Sequence, residues 1–227
     1  MIESWQAPLQ NGTTSEELLV QLDRGRNIRV LILPALFDEA NKLRRFTIEL
    51  MRTLDRLEID SFLPDMPGCN ESLVPLSGLS LSALQAAATS AMRSLGATHV
   101  LAIRGGALLL PEGAAGWAYA PVSGAKLLRS MIRARTISAR EAGCTESSEE
   151  LQQIGRKEGL TLAGWEIGAE MFRELEIAEP PVSESLTVIS QQELGGAGLW
   201  LRAEPGEDAA QTEKFAAILA SGAGAAG

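Results

Sequence analysis

Thr98-His99-Val100-Leu101-Ala102-Ile103-Arg104-Gly105-Gly106 is the stretch on which the reading of this chain turns. It predicts a strand over 98–103 that runs directly into a tight, glycine-permitted turn after one charged side chain. Upstream, the Ala-rich segment Leu79 to Leu95, closed by Gly96, reads as a helix. Before it, Ile59 to Leu63 reads as a short strand ending at Pro64. From Asp38 to Leu57 the apolar residues Leu43, Phe46, Leu50, Leu54 and Leu57 recur at three- and four-residue steps among charged ones, the pattern of an amphipathic helix. The first apolar run of strand character is Ile28-Arg-Val-Leu-Ile-Leu33, nearly continuous and stopped by Pro34, as in a strand buried on both faces of a parallel sheet. Strand, helix, strand, helix, strand in this order is the rhythm of a doubly wound, mostly parallel α/β domain.

Downstream, Gly116 to Pro121 predicts a further strand, and Lys126 to Arg140 a basic amphipathic helix. Residues 141–158 read as loop plus helix, Ala169 to Leu175 as a helix, and Ser185 to Ser190 as a last strand before the Gly-rich 195–198. One domain over 1–220 is expected, followed by a tail, 221–227, too small and Gly-rich to stay ordered.

Composition narrows the chemistry. Twenty basic against 29 acidic residues leave a net charge of −9, which repels phosphate backbones and argues against nucleic acid as a partner. The start has no basic segment leading into an apolar one, and no run approaches the ~18 apolar residues of a membrane helix, so a cytoplasmic protein without a transmembrane segment is expected. Cys69 and Cys144 match neither a disulfide framework nor a zinc knuckle, and no cofactor or metal is expected. With His99 as the one histidine, every imidazole-dependent mechanism must pass through it.

Function in an open parallel sheet gathers at the carboxyl ends of the strands, here 34–42, 65–72 and 104–106. Ala102-Ile103-Arg104-Gly105-Gly106 has the layout of a nucleophile elbow, Gly-x-Ser-x-Gly, with Arg104 where the nucleophile belongs. His99 starts the strand that leads to Arg104, so a strand rise of ~3.3 Å per residue puts it about 16 Å from the elbow, at the wrong end of the sheet. A triad needs its imidazole in hydrogen-bond contact with the nucleophile. A histidine satisfied by backbone at a strand start is the expectation instead.

Leu33-Pro34-Ala-Leu-Phe-Asp-Glu39-Ala-Asn41-Lys42-Leu-Arg44-Arg45 resembles the loop and first helix of the α/β-hydrolase-like proteins of the exosortase A, PEP-CTERM exopolysaccharide system. Leu63-Pro64-Asp65-Met-Pro-Gly68-Cys-Asn-Glu-Ser72 is similar to their second turn. Arg104-Gly-Gly106-Ala-Leu108, Pro121-Val-Ser-Gly124 with Arg133-Ala-Arg135, and Leu162-Ala-Gly164-Trp165-Glu-Ile resemble the second hydrolase type of that system. The likeness spans roughly 28–220. It implies an α/β-hydrolase-like fold, a helical lid insertion around 124–175, and a setting in polysaccharide production and protein sorting. It implies no activity, since that second type itself tends to carry arginine at the elbow. The short span from Arg104 to Trp117, interrupted by Pro111-Glu-Gly113, leaves too little room for the helix of about three turns that normally follows an elbow.

The candidate ligand-binding or anion-binding residues are therefore Arg104, Gly105, Gly106, Glu39, Asn41, Lys42, Asp65 and Ser72. Arg104 either pairs with an internal acid, with Glu39 and Asp65 the nearest, or stands over an anion nest of backbone amides. The stretch Glu39-Ala-Asn41-Lys42 lies where hydrolases place half of an oxyanion hole, with Asn41 or Lys42 to contact a ligand, or Glu39 and Asn41 simply serve the free amides of the first turn of their helix. Asp65 and Ser72 are expected to brace their turn, and Cys69 lacks the imidazole that would activate it. Arg129, Arg133, Arg135 and Arg140 form a solvated face or a docking surface. Three functions follow. The first is a catalytically degenerate protein that binds a small acyl or anionic ligand. The second is an ester or thioester hydrolase, or acyltransferase, with a relocated nucleophile and Arg104 as oxyanion binder. The third is a protein partner or homo-oligomer whose interface is the arginine-rich helix.

Overall fold

The computed structural model describes residues 1–224. Two strands that carry no signal in the reading above come first: β1 (Ile2–Pro8) and β2 (Thr14–Leu22) form an antiparallel hairpin. They escape a search for apolar runs because only alternate side chains, Trp5, Ala7 and Leu19 among them, reach the core. β3 (Arg29–Leu33), α1 (Asp38–Arg56), β4 (Asp60–Pro64), α2 (Leu81–Ser94) and β5 (His99–Ile103) follow as expected. Leu57, counted in the helical stripe, caps α1 instead and is 40% exposed. After a six-residue 3-10 helix, Arg104–Leu109, come β6 (Gly116–Tyr119), α3 (Gly124–Glu141), α4 (Ser148–Glu158), the small hairpin β7 (Leu160–Leu162) and β8 (Trp165–Ile167), α5 (Ala169–Ile177) and β9 (Leu186–Ile189). The short α6 (Gln191–Leu194) and α7 (Ala209–Gly222) complete the chain. The tail expected from 221 is overtaken by α7: Ser221 and Gly222 close that helix, Ala223 donates its amide to Leu219 O, and Gly224 donates to Ser221 O. The rest of that tail, 225–227, lies outside the described residues.

The seven-stranded sheet has the order β1-β2-β4-β3-β5-β6-β9. β4, β3, β5, β6 and β9 are parallel, and β2 joins β4 antiparallel at one side. From β3 the chain crosses to β4 on one flank and returns to β5 on the other. The carboxyl ends of β3 and β5 thus lie at the switch of direction, where an open α/β sheet leaves a crevice.

Alternation along the central strands builds two cores. Val30, Ile32, Leu101 and Ile103 face α1 and α7, packing with Leu43, Phe46, Leu50, Phe215 and Leu219. Leu31, Leu33, Val100 and Ala102 face α2, α3 and α5, packing with Leu84, Ala88, Leu128, Phe172 and Leu175. Helices therefore cover both faces, which is why the strands read as apolar throughout. The helical segment between β6 and β9 belongs to this second core: Leu127, Leu128, Met131 and Phe172 are buried in it together with Leu33 and Ala107.

Candidate functional site

Arg104 leaves β5 with φ 54°, in the left-handed region that costs a non-glycine residue about 1 kcal/mol or more. Behind it, backbone contact dictates Gly106, while Gly105 meets a side chain that can shift. A Cβ on Gly106 would stand 2.4 Å from both Leu33 O and Pro34 O, and one on Gly105 would stand 2.8 Å from Leu127 Cδ1. The chain thus makes the sharp strand-to-helix turn of an elbow, and the helix after it is cut to the 3-10 segment, as its length foretold. Both glycines are buried rather than open as an anion nest, Gly105 against Leu36 and Leu127 and Gly106 against the carbonyls of Leu33 and Pro34.

Of the two acids nearest by position, Glu39 takes the arginine. Arg104 donates from Nε to Glu39 Oε2 (3.0 Å) and from Nη2 to Oε1 (2.9 Å), and its Nη1 donates to Ala120 O (2.9 Å). The indole of Trp200 covers the guanidinium at 4.1 Å. Both partners are largely withdrawn from water, with side chains 11% and 14% exposed. Glu39 is delivered by the first turn of α1, where a carboxylate also complements the helix dipole. The cavity beside this pair has a volume of about 480 Å³ and is lined by Asp38, Glu39, Lys42, Arg104, Lys126 and Trp200, with Val122, Leu127, Ser130 and Leu201. Lys42 lies in it, paired with Asp38 (3.0 Å) one helical turn back. Asn41 points to solvent from α1.

Asp65 is not at this cavity. It is fully buried behind α1, where it accepts from Arg44 Nη1 (2.8 Å) and Asn70 Nδ2 (2.9 Å), while its carbonyl accepts from Trp5 Nε1 (3.1 Å). Ser72 accepts from the amides of Gly68 (2.8 Å) and Val74 (3.2 Å) and donates to Glu17 Oε1 (2.9 Å). Both residues brace the turn after β4, and they tie it to α1 and β2. Cys69 is buried in the same turn, where lost hydration and then the nearby Asp65 and Glu17 push its thiol up to about 12, away from reactivity.

His99 sits at the amino end of β5. Its ring stacks on Trp117 at 5.5 Å, and its Nδ1 is 2.8 Å from Thr98 Oγ1, a hydroxyl where a backbone partner was expected. Burial holds its pKa below the ordinary value. Arg129, Arg133 and Arg140 are exposed on α3, but Arg135 leaves that face to donate from Nε to Glu146 (2.9 Å) and from Nη1 to Thr161 O (3.0 Å).

The residues missed by the sequence reading are Ala120, Lys126, Ser130 and Trp200. Lys126 and Ser130 sit one turn apart on α3, a spacing visible in the sequence but silent until α3 is placed against α1. Trp200 lies in the connection before α7, and no local pattern directs it to Arg104.

A solved structure of alpha/beta hydrolase domain-containing protein 10 from mouse aligns with 96% of this chain and 97% of its own, at TM-score 0.53 and 11% identity. The alpha/beta hydrolase GrgF from Penicillium sp. sh18 aligns with 77% of this chain and 72% of its own, at TM-score 0.48 and 12% identity. An aminopeptidase from a marine sediment archaeon, Thaumarchaeota archaeon, aligns over 54% of this chain at TM-score 0.38 and 13% identity, and this chain spans 26% of its length. The protein has the α/β-hydrolase fold. No protein-family model and no curated protein matches the sequence.

Proposed function

We propose that this α/β-hydrolase-fold protein works by non-covalent binding at the cavity beside Arg104, without a Ser-His-Asp triad. The observation that carries this reading is the elbow residue itself: a guanidinium held by Glu39, Ala120 O and Trp200, with no oxygen or sulfur to attack an acyl carbon. The histidine supports it. In α/β-hydrolases the triad runs Ser, Asp or Glu, then His along the chain, whereas His99 precedes the elbow and lies at the far end of its strand. The last connection before α7 supplies no histidine and instead places Trp200 against Arg104. A serine-directed fluorophosphonate is expected to leave the protein unlabelled. Stoichiometric modification of a single serine that persists in Arg104→Ala would overturn the reading.

The setting we propose is the exosortase A, PEP-CTERM exopolysaccharide system, in the cytoplasm. It rests on the Glu39-x-Asn41-Lys42-x-Arg44-Arg45 and Leu63-Pro64-Asp65 segments. Compatible with it are two free cysteines and, among the described residues, no helix long and apolar enough to cross a membrane. Disruption of the gene in its own host is expected to alter exopolysaccharide output or protein sorting; unchanged output and sorting would refute this placement.

A second reading, an ester or thioester hydrolase or acyltransferase with a relocated nucleophile, is favoured by one detail. Arg104 uses three of its five N–H groups on protein acceptors, which leaves donors for an oxyanion. It requires turnover of a short-chain ester and thioester panel that is lost in Arg104→Gln, and absence of turnover by the wild-type protein rejects it.

A further inference from the structure

The charges around the cavity are unequal, and two independent features say which sign of ligand would balance them. Its walls carry two acids, Asp38 and Glu39, and three bases, Lys42, Arg104 and Lys126. The first two bases are paired with the two acids, while Lys126 makes no ion pair among the described residues and is exposed. Lys126 also stands in the first turn of α3, a helix with no acid in that turn and no side-chain cap. A cation there opposes the helix dipole, a small cost that an anion bound beside it would offset.

The second feature is the unused hydrogen-bonding capacity of Arg104. Glu39 occupies the side-on edge, Nε and Nη2, and Ala120 O takes one Nη1 proton. One N–H remains on each Nη, so the guanidinium keeps two donors for oxygens of a further acceptor. The excess of one positive charge is neutralised by a monoanion, whereas a phosphate dianion would leave a negative charge next to Asp38 and Glu39. Beyond the charged groups and Ser130 the lining is apolar, and Leu201 is 76% exposed.

Resting on the binding function proposed above, we infer that the cavity takes the free carboxylate of a small organic acid. The carboxylate lies between Lys126 and the remaining N–H groups of Arg104, and its apolar chain lies on Trp200 and Leu201. The volume of about 480 Å³ is within the range of small-ligand sites.

Calorimetric titration of wild-type protein and Lys126→Gln with octanoate, octyl phosphate and methyl octanoate tests this. Octanoate is expected to saturate one site, and Lys126→Gln to weaken it about tenfold, the loss of one charge-assisted hydrogen bond. The melting temperature of the unliganded variant should be unchanged or higher, because a wrong-sign charge leaves α3. Methyl octanoate is expected to bind at least about tenfold more weakly than the acid. Octyl phosphate binding tighter than octanoate, equal binding of ester and acid, full octanoate affinity in Lys126→Gln, or no saturable octanoate binding would each overturn the carboxylate site. Chromatography of the same samples separates the two claims: consumption of methyl octanoate defeats the non-covalent reading, while an intact ester with no octanoate binding defeats only the ligand class.

Discussion

Arg104 adopts a strained, left-handed conformation and is bonded to a largely buried carboxylate, so its removal acts through Glu39. Arg104→Gln leaves that carboxylate without its cation and should destabilise the protein by about 3–5 kcal/mol in denaturant unfolding. Glu39→Gln combined with Arg104→Gln should recover most of the loss, since neither charge then remains buried alone. Gly106 tolerates nothing larger: Gly106→Ala places a methyl group against the carbonyl oxygens of Leu33, which ends β3, and of Pro34 just after it, and should cost about 3 kcal/mol or prevent folding. His99 carries a pH dependence of the opposite kind from a salt-bridged histidine. Its folded pKa is lowered by burial, so the unfolded chain binds the proton more readily. The contribution to stability is complete above the unfolded value of about 6.5 and is lost as pH falls through it. His99→Gln should flatten the stability profile of the wild-type protein between about pH 7 and 5.

At the scale of elements, α2 starts at Ser80, whose buried side chain accepts from the Ala83 amide (3.1 Å). Ser80→Ala removes that cap and should lower stability by about 1–2 kcal/mol in a denaturant titration. The amino end of the sheet is tied by a denser arrangement. Asp60, fully buried, accepts the amides of Arg24 and Arg26 and pairs with Arg26 and Arg29, while Arg29 also holds Asp23. The elements from β3 to β5 were legible because each is apolar on both faces or strictly periodic on one. β1 and β2 were not: a hairpin at the edge of the sheet buries one side of each strand, and Glu16 and Glu17 interrupt the apolar alternation of β2. Glu17 is buried none the less, 2% exposed, held by the hydroxyls of Ser15 and Ser72.

For the whole molecule, the hairpin does more than extend the sheet. β2 covers the edge of β4, and Trp5, Ala7 and Leu19 close the core beside Phe62 and Met66. A chain lacking residues 1–22 exposes that edge and those side chains together, and should elute from a sizing column as aggregate rather than as a smaller folded species. The sequence alone was enough for the alternation of strand and helix that places 34–42 and 104–106 at one end of a parallel sheet, for the absence of a serine at the elbow, and for the distance of His99 from it. These depend on local period and chain order, which any residue carries with it. Only the tertiary structure decided that Glu39 rather than Asp65 meets Arg104, that Trp200 covers it, and that among the bases lining the cavity Lys126 makes no ion pair with the described residues. Those outcomes depend on how α1, α3 and the connection before α7 pack across the crevice, and side chains far apart in the chain acquire partners only through that packing.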